Sequence, residues 1–197
     1  MLHLDAVQLN LEATSIVLPF ALEKLVICLG NTTLEHLSGP LAMLCQRSIR
    51  ELVVEIHSDH PPWLLHLLPI AHQLITFSLE LTCSSEEEPI VPTFLRACTH
   101  LEVFELAWLR PGWLKALSNS LVELKLMSLS SESAESLVEM IRDGVIGVSK
   151  LEKLIVSDGE FHCRLSMTED ATEEGAIWRE LAKICREKGI KIVQTPW

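Results

Sequence analysis

Apolar residues recur along this chain in a fixed local pattern, an aliphatic or Phe side chain at offsets of zero, three and five. Leu22-Leu25-Ile27, Ile49-Leu52-Val54, Leu74-Phe77-Leu79, Leu101-Phe104-Leu106, Leu121-Leu124-Leu126 and Leu151-Leu154-Val156 all carry it, with anchors 27, 25, 27, 20 and 30 residues apart. Alternation over the last four positions of each triplet predicts a strand with one buried face. Leu2 and Leu4 resemble the end of an earlier copy, and Ile190 to Val193 a closing strand. Between the triplets the spacing becomes helical or turn-bounded, predicting helices over 62–73, 92–99, 111–118, 132–144 and 170–188, and one opening at Ser38-Gly39-Pro40 with Leu41, Leu44 and Cys45 inward. Proline opens several of them, where its missing N–H costs nothing. In the last, Ile177, Leu181, Ile184 and Cys185 share one face, and Gly189 ends the helix. Thr82 to Glu88 is serine-rich and acidic and reads as a surface loop.

A unit of one strand and one helix cannot bury its own apolar face, so successive units must stack into a continuous core. The expected fold class is α/β, a single solenoid over 1–197 with a parallel sheet on its concave side and helices and turns on its convex side. Residues 168–197 are expected to form a C-terminal capping helix and strand. The N-terminal end, where Leu2, Leu4 and Val7 offer no polar cover, is expected to lack a cap.

Through these triplets the sequence resembles the leucine-rich-repeat family over nearly all of its length. Eight residues after the anchors, where that family often carries Asn or Cys, stand Gly30, His57, Thr82, Leu109, Leu129 and Gly159, so a regular asparagine ladder is missing. Irregular repeat lengths and segments such as Leu151-Glu152-Lys153-Leu154-Ile155-Val156 look most like the repeat regions of fungal F-box proteins. That resemblance implies capture of a protein substrate for a ubiquitin ligase. The helical F-box segment itself is not found, so contact with a ligase adaptor is expected only if such a segment lies upstream.

The residues between the apolar ones define the outward face of the strands. At offset two they are Lys24, Glu51, Thr76, Val103, Glu123 and Lys153; at offset four Val26, Val53, Ser78, Glu105, Lys125 and Ile155; at offset six Cys28, Glu55, Glu80, Ala107, Met127 and Ser157. Parallel neighbours in one column lie about 4.8 Å apart, so Lys24 with Glu51, Glu105 with Lys125, and Glu123 with Lys153 are expected to pair laterally. Glu55 beside Glu80 is a like-charge pair that a basic partner would relieve. The candidate partner-binding set is therefore Glu51, Glu55, Glu80, Glu105 and Glu123, together with Trp108 and Arg110, residue types favoured as interface anchors. Trp113 and Trp63 read as core.

Composition narrows the function classes. Thirty-five leucines, no Tyr, 48% hydrophobic residues and 22% charged residues exclude a disordered chain. A net charge of −11, with only Lys24, Arg47, Arg50 and Arg96 basic in the first hundred residues, argues against nucleic acid. Six dispersed cysteines without a C-x-x-C pair fit buried thiols in a reducing compartment, cytoplasmic or nuclear. His60 to Leu79 lacks charge over the length of a membrane span, but Pro61, Pro62, Pro69 and three histidines disqualify it. His57, His60, His66, His72 and His100, with Cys83 and Cys98, are spaced too irregularly to converge on a metal. No nucleophile-elbow, phosphate-loop, dinucleotide or zinc-protease motif occurs. The reading that follows is a non-catalytic, intracellular protein-binding module with no cofactor or metal. A hydrolase on an unrelated α/β fold and a structural array without a selective partner are its rivals.

Overall fold

The computed structural model describes residues 2–5, 23–29, 49–56, 62–81, 90–157 and 173–195. The protein is α/β, with parallel strands, and its chain divides into two compact units, Met1–Leu101 and Glu102–Trp197. The first unit holds strands β1 (Leu2–Asp5), β2 (Lys24–Leu29), β3 (Glu51–Ile56) and β4 (Thr76–Leu81), the 3-10 turn Pro62–Leu67, and helices α1 (Leu68–Ala71) and α2 (Ile90–Ala97). The second holds β5 (Val103–Trp108), α3 (Pro111–Leu114), β6 (Glu123–Ser128), α4 (Ser131–Asp143), a 3-10 turn at Ile146–Val148, β7 (Lys153–Val156), α5 (Glu173–Lys188) and β8 (Lys191–Gln194).

Equivalent triplet positions sit side by side. In the first unit Leu25, Leu52 and Phe77 form one row across β2, β3 and β4, and Ile27, Val54 and Leu79 the next. Leu2 and Leu4 of β1 extend both rows. In the second unit Phe104, Leu124 and Leu154 align across β5, β6 and β7, as do Leu106, Leu126 and Val156. All row members of β2 to β7 are buried. A one-residue slip would turn a whole row to solvent, so the two-residue period fixes the register. The lead-in to each strand repeats as well. The carbonyls of Glu23 and Arg50 in one unit, and of Glu102 and Val122 in the other, each accept two successive backbone N–H groups from the next copy.

The helices cover the rows. In the first unit Val91, Phe94 and Leu95 of α2 are buried, and the Phe94 ring lies 5.1 Å from that of Phe77, tilted by 59°, a favoured edge-on contact. In the second unit α4 buries Ala134, Leu137, Val138 and Ile141. Ser130 caps it by accepting from Ser133 N–H at 3.2 Å, and Gly144, at φ 65°, closes it in the left-handed conformation. Buried Ser133 also donates its hydroxyl to the Leu109 carbonyl at 2.8 Å, tying the helix to the segment after β5.

Several expectations shift. The segments 62–73 and 111–118 yield a 3-10 turn with a single α turn, and a single α turn. Their prolines set where the coil begins, but neither run carries enough helical stripe to propagate it. On α5 the inward side chain is Trp178, with Leu181, Ile184 and Cys185, while Ile177 is half-buried. On the outward face Val26, Ala107 and Ile155 are buried. Val26 lies in register beside Val53, and Ile155 between Lys125 and Val193, so these lateral neighbours shield them. Trp113 is core, as read. Leu22, Val7, the helix expected after Ser38, the loop expected over 82–88 and residues 168–172 lie outside the described residues, as do the side chains of Cys28 and Trp63.

Candidate functional site

On the outward face of the first unit, Lys24 and Glu51, in register on β2 and β3, form an ion pair that is also a hydrogen bond. Four residues further along, Glu55 and Glu80 are in register on β3 and β4, both half-buried. Asp5 shares their row through Cys28. Glu55 and Glu80 thus stand side by side as like charges, and Asp5 holds the corresponding register position on β1.

The second unit organises its charges differently. Lys125 Nζ lies 3.6 Å from Glu105 and 3.7 Å from Glu123, and Lys153 Nζ donates to Glu123 at 2.9 Å. The three lateral pairs expected from the sequence are present. The contact between Glu123 and Lys125, two apart on one strand, joins two of them into a four-membered network. Glu51, Glu105 and Glu123 are thus held by their own neighbours.

Trp108 ends β5, in register with Ser128 of β6, and is 60% exposed. Strand alternation would turn it inward with Phe104 and Leu106, but it stands at the strand's C-terminal end, where the side chain leaves the core. Among the described residues only Leu65, at 40%, is a comparably open large apolar group. Arg110, two residues on, lies over buried Trp113 at 5.5 Å from its centroid, a cation–π contact that holds the guanidinium.

His100 and the described cysteines are engaged or covered. His100 Nδ1 lies 2.8 Å from the His72 carbonyl oxygen, linking the segments that follow α1 and α2. Among the described residues no group of His, Cys, Asp and Glu could hold a metal; His57, His60 and Cys83 lie outside them. Burial pushes the Cys98 thiol up to about 12 and Cys185 up to about 11, and both are free thiols, the first donating to Phe94 O at 3.3 Å. Protonated and covered, they are poor nucleophiles. Ser133 is the polar residue the sequence reading passed over. Its position three after a serine N-cap was the available signal. No helix among the described residues is long and apolar enough to cross a membrane.

Comparison of the chain with family models, with curated proteins and with solved structures returns no match.

Proposed function

We propose that this protein is a non-catalytic protein-binding module built as a leucine-rich-repeat solenoid, with Trp108 as its principal anchor. Exposure of Trp108 at a strand end, in a chain that covers nearly all its other described large apolar side chains, carries this reading. The recurrent in-register rows and lead-in hydrogen bonds support the repeat architecture. Glu55 and Glu80, in the other unit, suit a partner with a basic surface, and the paired Glu51, Glu105 and Glu123 serve to frame the strands. Arg110 contributes through the stack that fixes its guanidinium. Substrate capture for a ubiquitin ligase, in the cytoplasm or nucleus, is the cellular role that best fits this module, and the buried free thiols suit a reducing compartment.

The test is affinity purification with wild-type and Trp108→Ala chains side by side. A partner held by the wild type and weakened more than about tenfold by the substitution is expected, since truncating a central Trp anchor commonly costs 2 kcal/mol or more. A set of bound proteins indifferent to Trp108→Ala, or stoichiometric labelling of a single serine by a fluorophosphonate probe, would overturn the proposal.

A further inference from the structure

Arg179, Lys183 and Arg186 of α5 fall at i, i+4 and i+7, a spacing that sets all three within one narrow stripe of the helix. All three are exposed. The opposite side of the helix, through Trp178, Leu181, Ile184 and Cys185, is buried, and Glu180 is bound to Arg142 of α4 at 2.8 Å. The stripe is thus presented on an anchored element, and among the described residues it has no ion pair. Exposed Lys188 and Lys191 continue the same charge past the end of the helix into β8.

Two ordinary explanations account for only part of this arrangement. Cations at a helix C-terminus complement the macrodipole, but that effect fades within the last turn, so it covers Arg186 and Lys188 and leaves Arg179 and Lys183 unexplained. Solubility is served by net charge, and in a chain at −11 each added cation lowers it. Nor do the cations pair along their own helix: Glu187 stands four residues after Lys183, yet the two form no salt bridge.

We infer that the Arg179, Lys183 and Arg186 stripe of α5 is a docking surface for an acidic peptide segment of a partner protein. Charge complementarity selects the occupant. Three cations spaced over about 10 Å suit a short run of carboxylates. A long polyanion such as nucleic acid would meet the repulsion of the whole chain. This surface is separate from Trp108, so its occupant and the partner held there can be lost independently.

The experiment uses the full chain and a fluorescein-labelled peptide with glutamate at alternate positions, in fluorescence anisotropy at low salt. The control peptide carries Gln in place of Glu. The wild type is expected to bind the Glu peptide and not the Gln peptide. The triple variant Arg179→Glu, Lys183→Glu, Arg186→Glu should lose about tenfold or more, since three exposed attractions are turned into repulsions together. Reversal of exposed Lys115 and Lys150 should change it less than twofold. Circular dichroism checks folding, and Arg179→Gln with Lys183→Gln supplies a milder pair, expected to lose several-fold. Equal loss from the Lys115 and Lys150 reversals, no loss from either stripe variant, or tighter binding of a single-stranded oligonucleotide of the same charge would overturn the inference.

Discussion

The outward strand faces of the two units pose the same electrostatic problem and answer it differently. In the second unit Glu105, Lys125, Glu123 and Lys153 alternate in sign from neighbour to neighbour, so the face neutralises itself. In the first, among the described residues, Lys24 and Glu51 do so, while four residues further along Glu55 meets Glu80. The second unit has a like-charge meeting of its own, Lys153 beside Lys191, but there Lys153 is already bound to Glu123. A self-compensated face frames the fold and offers a partner little. A row in which like charges stand in register gains nothing from pairing between its own members, and that separates the two faces more sharply than a tally of acidic residues.

That contrast presumes that the two units share one kind of core, and the largest effects test this premise. Leu79→Ala in the first unit and Leu124→Ala in the second should each lose about 2–5 kcal/mol in urea denaturation, since both are fully buried row members. A large loss in one unit with a trivial one in the other would break the equivalence. The packing between elements has one sharper point in the second unit. A Cβ on Gly147 would come within 2.6 Å of the Leu114 carbonyl oxygen, backbone that cannot swing away, so Gly147→Ala should cost about 1–3 kcal/mol by overpacking.

The charge contrast itself predicts opposite signs of smaller size. Lys125→Met removes the shared cation of the network and should destabilise by about 0.5–1 kcal/mol. Glu80→Lys converts a like-charge row into an attractive one and should stabilise by about 0.2–1 kcal/mol. Both effects should shrink between low and high salt, and denaturation curves at two ionic strengths would check this. The same sign for both substitutions would remove the distinction between the faces.

Least visible near neutrality is the contribution of Cys98 and Cys185, the two buried thiols among the described residues, one in each unit. Their folded pKa values, about 12 for Cys98 and about 11 for Cys185, lie above the ordinary 9.0. The unfolded chain therefore loses its thiol protons first as pH rises. Stability from each thiol is complete below about pH 9 and is lost between there and the folded value. Cys98→Ala and Cys185→Ala should flatten that alkaline decline, measured as the urea midpoint against pH. Iodoacetamide labelling, followed by peptide mapping, should reach Cys98 only as the first unit opens and Cys185 only as the second does.

Strand rows were legible in the sequence because burial imposes a period of two on every copy; Leu52 or Leu126 could not move without its whole strand. The lateral ion pairs followed from that register by arithmetic. Helix length was not legible at Pro62 or Pro111, since proline marks where a helix can begin while tertiary packing decides where it stops. On α5, Ile177 and Trp178 flank the same apolar stripe 100° apart, and the larger ring took the buried place. Trp108 was visible as an anchor candidate, but its openness depends on what covers a strand end. The basic stripe at Arg179, Lys183 and Arg186 was legible by spacing alone, and was masked by the chain's overall acidity.

Each described strand takes its hydrogen bonds from the copy just before or after it in the same unit. Closing such a contact joins positions only 20 to 38 residues apart, a loop whose entropy varies little from one copy to the next. Growth of order can therefore start at any adjacent pair of strands and spread by addition, as a zipper closes from wherever it is first engaged. Refolding should tolerate a damaged copy at either end of a unit better than one in its middle, because a terminal defect shortens the run while a central one interrupts it.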